Sequence, residues 1–522
     1  MVTQPRSTNE SVQADPPARP RTAAGIPPGT GGQWLTARRA VLTSLVITLI
    51  ALVMDIKGLM VIPMTSTFIR EAGMSPYTTG WVLLAAQLVG AATIGLLGRM
   101  GDVHGHRKIM LILLLGQLIG NALTGLAVHP LMIIAGRSLV GVSVGAALML
   151  PIMRDWMRPA DFRRGLGFFG GVQGIGVAIS FLFSGFFLSI GWNWRAVFLI
   201  CAGLSLICLV TTWKWVPETR HRASTKVDYL GAVLLGTWMC FLLIAISRVT
   251  TWGVASVPTL GCLAAAAVVC AVWVGYERRH PSPLVAISVA FGHRLLPVFV
   301  PFATMSFVSM ICYIGVSNFV QAPRRIAGYG FSYSVLQSGL VLLPMSLIIG
   351  LSSMFVGHLI TRFGARFLMT IGSTVMGAVL LYWYWNHSQA WEMVLGAAVF
   401  GIGSASVFCG GYAIVTVEAA AGSVGVTNAV LILWGNLGST IGTAASTALT
   451  SNKLIPGTRL TVEAGWSNTF LVGMVVALLG ALVSLAIRKG VGAHRGAAVS
   501  DDRVRRIPVA PRDGVEQPGG IN

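Results

Sequence analysis

Three charged side chains lie well inside long apolar stretches of the sequence, away from their ends, where such residues are rare. Asp55 and Lys57 lie in the apolar stretch 41–63, and Arg137 lies in the stretch 131–152. An ionised side chain at the centre of a membrane helix costs about 3 kcal/mol on insertion scales, so it usually faces a polar cavity or a partner. Residues two apart point to different sides of a helix, so Asp55 and Lys57 are poor partners for each other.

These residue types allow more than one interpretation. A carboxylate that faces a water-filled cavity can take up and release a proton or a cation. The alternative for Asp55 is a buried ion pair that orders the helices. Lys57 can neutralise Asp55 across the helix bundle, or it can bind an anionic group of a substrate. Arg137 can regulate Asp55, or it can cap backbone carbonyls between helices.

The elements that must position these residues are apolar helices. The chain has 522 residues, of which 54% are hydrophobic and only 10% are charged, and its mean hydropathy is +0.75. A soluble protein carries about 25% charged residues, so we expect an all-α integral membrane protein. Fourteen apolar runs approach the length of about 20 residues that crosses a bilayer. They lie at 41–63, 79–98, 109–127, 131–152, 166–190, 196–215, 229–248, 257–275, 296–318, 334–357, 367–385, 392–416, 425–449 and 467–487.

The distribution of basic residues predicts the orientation in the membrane. The net charge is +20, but the basic residues lie in short loops beside apolar runs, and alternate loops hold most of them. This positive-inside pattern predicts a multi-pass protein of the cell membrane with both termini in the cytoplasm. It does not indicate a nucleic-acid partner, because no continuous basic stripe is present.

Several classes of function lack their sequence signals. The seven cysteines show no C-x-x-C spacing, and the chain contains neither a P-loop nor a cluster of metal-ligating residues. We therefore expect no metal, no cofactor and no enzymatic activity. Polar amides within the apolar runs are more often contacts between helices than ligand contacts. Those most suited to a substrate cavity, together with Lys57, are Gln87, Gln173 and Asn436.

A charged, glycine-rich stretch joins the second and third apolar runs, and a related stretch follows roughly 260 residues later. The glycines allow a tight turn, and the opposite charges predict an ion-pair cluster near helix ends. A repeat at this distance predicts two related halves. The residues of the first stretch are Gly98, Asp102, Gly105, Arg107 and Lys108, and those of the second are Gly357, Arg362, Gly364 and Arg366.

These motifs resemble those of the major facilitator superfamily. The stretch 98–108 is similar to the pattern Gly-x-Leu-x-Asp-Arg-x-Gly-x-Arg-Lys, with Met100 and Val103 in place of the Leu and the Arg. The segment from Met54 to Pro63 resembles the helix 1 motif Leu-Asp-x-Thr-…-Leu-Pro. Two apolar runs between two sets of six resemble the fourteen-helix drug:proton antiporter family of the multidrug efflux type.

The resemblance implies a domain organisation built on two six-helix bundles. The expected segments are a cytoplasmic tail at 1–38, a first bundle at 39–218, two additional helices with linkers at 219–290, a second bundle at 291–489 and a second cytoplasmic tail at 490–522. We expect both tails to be disordered because they are polar and rich in proline, glycine or basic residues.

The resemblance also implies a function. It assigns proton coupling to Asp55 and Arg137, and it makes the stretch 98–108 a latch for the inner gate. In the fifth apolar run, 166–190, the small residues that let helices approach are Gly176, Ser180 and Ser184. In the same run, Phe181 replaces the proline of the antiporter motif.

We therefore expect a secondary active transporter that acts as a monomer. It would export small hydrophobic or amphipathic compounds by proton-coupled alternating access, with a small molecule, protons and the lipid bilayer as its partners. One alternative is a dedicated exporter or facilitator of a single metabolite, anionic in view of Lys57, without proton antiport. A lesser alternative is a membrane receptor or scaffold that transports nothing.

Overall fold

The computed structural model describes residues 36–142, 146–158, 175–219, 227–280, 283, 285, 287–418, 424–451, 454–456, 458 and 460–487. Nearly all of the two expected tails, 1–38 and 490–522, therefore lies outside the described residues. The described residues from 36 onward belong to one compact unit. Their regular secondary structure is helical, apart from one isolated bridge between Leu454 and Thr461.

The described residues of the first part of the chain form eight helices, in the order of the predicted apolar runs. They are α1 (Ala37–Leu59), α2 (Thr65–Glu71), α3 (Pro76–His104), α4 (His106–Gly125), α5 (Pro130–Gly141), α6 (Ala146–Trp156), α7 (Ile175–Ser189) and α8 (Trp194–Trp215).

The remaining helices follow the same pattern. They are α9 (Tyr229–Trp252), α10 (Val257–Arg279), α11 (Ile287–Ala290), α12 (Leu296–Gln321), α13 (Arg324–Ala327), α14 (Val335–Phe363), α15 (Ala365–Trp385), α16 (Ala390–Glu418), α17 (Val424–Ser451) and α18 (Glu463–Ser484).

Ten of the described helices are long and apolar enough to cross a membrane, or eleven if α3, which bends by 51°, counts as one span. Each of the fourteen predicted runs overlaps at least one described helix. The run 131–152 covers both α5 and α6, and the residues between these two helices are not described. The integral-membrane class is thus confirmed, whereas the count of fourteen spans stays a prediction.

Serine caps start several helices at one end of the bundle. The side chain of Ser75 accepts a hydrogen bond from the backbone of Thr78 at the start of α3, and Ser256 caps α10 in the same way. Ser334 forms a full capping box with Gln337 at the start of α14. Such caps satisfy backbone N–H groups that a helix leaves without partners. We call this end the Pro63 end, and the opposite end the Gly105 end.

At the Gly105 end, the predicted glycine-rich turn is shorter than expected. Helix α3 continues to His104 and α4 begins at His106, so Gly105 alone breaks the helix, with φ of 100°. Gly364 separates α14 from α15 in the same way, with φ of 84°. Positive φ is readily adopted by glycine. The two repeated stretches therefore share one backbone geometry, and Gly98 and Gly357 lie within helices.

Helix α9 lies where the first and last parts of the chain meet. It packs against its partner α10 and also against α3 and α17. Leu84 of α3, Leu243 of α9 and Ala444 of α17 form a buried apolar cluster there. The pair of additional helices therefore contacts the seam between the first six predicted spans, which we call the first half, and the last six, the second half.

Candidate functional site: the end of helix α1

Helix α1 ends at Leu59, and the chain passes through a buried turn before α2 begins at Thr65. Met60, Val61, Ile62 and Met64 of this turn are at most 1% exposed. A helix leaves its last carbonyls without intrahelical partners, and in an apolar environment each must find a donor. The residues that supply these donors define the site.

Three side chains from different elements donate to carbonyls in the last turn of α1 or in the turn that follows it. Arg137 of α5 donates from Nη1 to the carbonyl oxygen of Lys57 at 2.9 Å. Ser184 of α7 donates to the carbonyl of Met60 at 3.0 Å. Gln321 of α12 donates from Nε2 to the carbonyl of Pro63 at 3.0 Å. The first two donors belong to the first half and the third to the second half, so the end of α1 connects both.

Lys57 is buried within the first half. Its side chain is 1% exposed, and Nζ donates to Oε1 of Gln117 at 2.5 Å and to the hydroxyl of Ser205 at 3.1 Å. Among the described residues, no carboxylate oxygen lies within 4.0 Å of Lys57 Nζ or of the Arg137 guanidinium. The contacts of Lys57 match a polar network between helices, and those of Arg137 match the carbonyl-capping alternative.

Asp55 lies on a different side of α1 from Lys57. Its carboxylate lies against α7 at Gly176, where an added Cβ would be 2.6 Å from Oδ2. Glycine at position 176 thus leaves room for the carboxylate. One turn further along α1, Gly58 is exposed, and no atom of the described residues lies within 4 Å of where its Cβ would be. Asp55 itself is partly buried.

The remaining predicted small residues of α7 also face inward. Ser180 is buried and donates to the carbonyl of Gly176 at 2.5 Å, while Ser184 reaches α1 as described above. Phe181, at the position of the antiporter proline, is fully buried, and its ring centroid lies 5.1 Å from that of Tyr313 in α12. Phe181 thus makes an aromatic contact between the halves at the position where the antiporter motif has proline.

The two halves are joined by hydrogen bonds at the Pro63 end. Gln321 is 8% exposed, and its Oε1 accepts from the hydroxyl of Ser66 at 2.5 Å. Its Nε2 also contacts Ser338 at 2.9 Å, which ties the contact to α14. Thr65 donates to Oδ1 of Asn318 at 2.7 Å. This cluster, which we call the Gln321 latch, joins the first turn of α2 to the last turn of α12.

Close backbone contacts reinforce the latch where α7 crosses α14. A Cβ at Gly185 would lie 2.4 Å from the Cα of Leu336, and a Cβ at Gly339 would lie 2.5 Å from the carbonyl oxygen of Phe181. Glycine is therefore required for this approach, as in the small-residue contacts of membrane helices generally. The described structure is closed at its Pro63 end.

Two of the three amides predicted to line the substrate cavity lie in described parts of the structure. Gln87 of α3 lies between the halves, since Thr443 of α17 donates to its Oε1 at 3.0 Å and its Nε2 is 3.7 Å from the sulfur of Met310. Asn436 is seven residues before Thr443 and thus on the same face of α17. Gln173 lies outside the described residues. Lys57 is separated from this group by its burial in the first half.

The glycine-rich stretch 98–108 makes different charge contacts from those predicted. Asp102 pairs with His106 at 3.3 Å rather than with Arg107 or Lys108. The carboxylate of Glu218 instead accepts from the backbone N–H groups of Arg107 at 3.0 Å and of Lys108 at 3.2 Å. A carboxylate at a helix start stabilises these free N–H groups.

The second stretch has its own contacts. The guanidinium of Arg362 lies 5.3 Å from the ring centroid of Phe363, and the carbonyl of Arg366 accepts from Thr370 at 3.0 Å.

Sequence reasoning missed the Gln321 latch. Gln321 ends a predicted span, where a polar residue is ordinary, and nothing in the sequence links it to Pro63. Ser317, Asn318 and Gln321 do recur at spacings of three and four residues near the end of α12. That spacing places them on one helix face, and it could have marked a polar contact there.

Comparison with known proteins identifies the family. The family model described as Major Facilitator Superfamily matches residues 43–442 and 305–508. The chain belongs to the Major Facilitator Superfamily. It is a membrane transporter rather than an enzyme, and the resemblance noted in the sequence is confirmed.

Curated relatives are named as a transporter, a resistance and export protein, and a multidrug efflux pump. The chain is 26% identical over 453 residues to a probable actinorhodin transporter of Streptomyces coelicolor, covering 82% of this chain and 74% of the relative. It is 27% identical to the tetracenomycin C resistance and export protein of Streptomyces glaucescens, covering 72% of this chain and 69% of that protein. The multidrug efflux pump LfrA of Mycolicibacterium smegmatis is 26% identical, with coverage of 71% and 73%.

Solved structures support the fold. The nucleoside transporter NupG aligns with a TM-score of 0.60 at 14% identity, covering 86% of this chain and all of that one. A bacterial homologue of the lysosomal transporter Spinster, in an inward-facing and unoccupied conformation, aligns with a TM-score of 0.61 at 14% identity, covering 87% and 98%. These alignments establish the major facilitator fold.

Proposed function

We propose that this transporter exports small hydrophobic or amphipathic compounds across the cell membrane in exchange for protons. The observation that carries the proposal is the position of Asp55, an acid on a membrane helix whose carboxylate lies against α7, the helix that crosses α14 of the second half. Relatives named for tetracenomycin C export and for multidrug efflux support the direction and the class of substrate.

The geometry suggests how proton binding couples to movement of the halves. Asp55 lies beside α7, and α7 carries both the donor to Met60 and the crossing with α14. Protonation of Asp55 removes a charge at the α1–α7 contact. The change would alter the position of the end of α1 and weaken the Gln321 latch. Alternating access by movement of two halves around a central site is the general mechanism of such repeat-built transporters.

The orientation that fits this scheme places the Gly105 end in the cytoplasm, in agreement with the excess of basic residues in the loops there. With both termini inside, the Pro63 end is the outer side, and the described state is closed to the outside. A monomer is sufficient for this mechanism because both halves belong to one chain.

The alternative of a dedicated anion exporter rested on Lys57. Because Lys57 is 1% exposed and donates to Gln117 and Ser205 within the first half, the structure offers no reason to prefer an anionic substrate. The surface between the halves is instead lined at Gln87 and Asn436 by neutral amides, which suit neutral or amphipathic compounds.

Efflux of a lipophilic cationic dye from cells that produce the protein tests the proposal. We expect dye export that stops when a protonophore is added. Vector-only cells provide the control for other exporters. Export that continues unchanged in the protonophore would contradict proton exchange. No export of cationic or neutral dyes would contradict the proposed substrate class.

A further inference from the structure

An apolar groove lies on the outward face of the first half, between α4 and α8. Its volume is about 380 Å³, which lies within the range of small-ligand pockets. The residues that form its walls are all apolar: Leu111, Ile112, Leu115, Leu209, Val210 and Trp213. Ile112 is 53% exposed and Trp213 is 66% exposed. No described helix covers the groove, so in a membrane it faces lipid.

The mouth of the groove carries basic side chains. Lys108 lies in the first turn of α4, one turn before Ile112, and Lys214 lies in the last turn of α8, next to Trp213. Both lysines are exposed. Arg107 binds the carbonyl of Trp213 through Nη2 at 2.5 Å, so its guanidinium lies at the same edge. The ammonium group of Lys214 lies 5.4 Å from the ring centroid of Trp215. Three cationic residues therefore belong to the helix turns at the Gly105 end of the groove.

Among the described residues, these cationic groups form no direct ion pair, because no carboxylate oxygen lies within 4.0 Å of a charged nitrogen of Arg107, Lys108 or Lys214. The carboxylate of Glu218 accepts from the backbone of α4, and that of Asp102 contacts His106. Lysine and arginine at a membrane surface attract anionic lipids, and basic pockets between helices bind their headgroups.

We propose that this groove is a binding site for an anionic phospholipid. One acyl chain lies in the groove between α4 and α8, and the headgroup phosphate contacts Lys108, Lys214 and Arg107. The two parts of the site match the two parts of such a lipid, and the three cationic groups select an anionic over a zwitterionic headgroup. Trp213 and Trp215 at the same depth fit the preference of tryptophan for the lipid headgroup region.

Native mass spectrometry of the purified full-length protein tests this site. The probes are phosphatidylglycerol and phosphatidylcholine with identical acyl chains, added to the protein in detergent. We expect the wild type to retain phosphatidylglycerol in preference to phosphatidylcholine. The double variant Lys108→Gln with Lys214→Gln should bind phosphatidylglycerol about tenfold more weakly, because each lysine contributes to the attraction. Its binding of phosphatidylcholine should not change.

Two further variants distinguish a built site from general surface charge. Arg278→Gln with Arg279→Gln removes two exposed charges at the same end, on α10, which lies outside the groove. This control should retain phosphatidylglycerol binding. Val210→Trp fills the groove without a change in charge, and it should weaken the binding of phosphatidylglycerol. The proposal is overturned if both lipids bind the wild type equally, if the α10 control loses as much binding as the lysine variant, or if Val210→Trp binds normally. None of these outcomes depends on the transported substrate.

Discussion

At the scale of single residues, the three membrane-embedded ionisable groups have distinct positions. Lys57 and Arg137 are buried in the first half with neutral acceptors, whereas Asp55 lies on another side of α1, against Gly176 of α7. The spacing of two residues explains this separation. The stabilising and the functional roles of these residues can therefore be tested separately.

The role of Lys57 predicts a stability effect. Gln117→Leu removes the closer acceptor of the Lys57 ammonium group and leaves one hydroxyl partner. Loss of a partner by a buried polar group costs about 1–3 kcal/mol, so the unfolding temperature of the purified protein should fall. The control Gln389→Leu changes an exposed glutamine in a loop. It should leave the unfolding temperature unchanged. Equal unfolding temperatures for Gln117→Leu and the wild type would show that the network does not stabilise the fold.

The contact between Asp55 and α7 predicts that a displacement of the Asp55 carboxylate, without removal of its charge, reduces dye export. Gly176→Ala places a methyl group where the carboxylate now lies, so the side chain of Asp55 must move. Displacement of a reactive group by about 1 Å can cost on the order of 100-fold in rate, and we expect dye export to fall at least about tenfold. Ser180→Ala, which loses only a hydrogen bond within α7, is the matched control. Normal export by Gly176→Ala would show that transport does not depend on the position of the Asp55 carboxylate.

At the scale of elements, the end of α1 is held by α5, α7 and α12 together. The bond from Gln321 to Pro63 and the bond from Ser66 to Gln321 cross between the halves. The crossing of α7 with α14 lies at the same end. A change that weakens these contacts should favour a state that is open at the Pro63 end.

Gln321→Leu tests this balance. It removes two hydrogen bonds between the halves, each worth about 0.6 kcal/mol in membrane proteins, so the ratio of closed to open states should fall several-fold. Spin labels at Glu71→Cys and Ile326→Cys, two exposed positions on opposite halves, report the change as a larger population of long distances. This measurement requires a background without the seven native cysteines. The same label pair in Gln389→Leu should give the wild-type distribution. An unchanged distribution in Gln321→Leu would mean that the latch does not hold the closed state.

At the scale of the whole molecule, the fold was more predictable than the site. Apolar runs and the repeated glycine stretches predict a duplicated helical membrane protein, because hydropathy and positive-φ glycines are local properties. The contacts of the site join distant parts of the chain, such as Pro63 with Gln321 and Lys57 with Ser205. Their formation depends on how helices pack, which the sequence pattern does not encode. Sequence therefore placed Asp55 and Arg137 among the candidates, but it paired Asp102 with Arg107 and Lys108 instead of His106.

Proton exchange through Asp55 is the central claim, and proton movement in liposomes tests it most directly. Purified protein is placed in liposomes that enclose a pH-sensitive dye, and a gradient of a transported lipophilic cation is imposed. We expect the cation gradient to drive protons in the opposite direction in the wild type. Asp55→Asn should abolish this proton movement while the protein remains folded and binds the cation. The control Glu463→Gln, at the exposed start of α18, should retain the proton movement. Proton movement at the wild-type rate in Asp55→Asn would contradict the account.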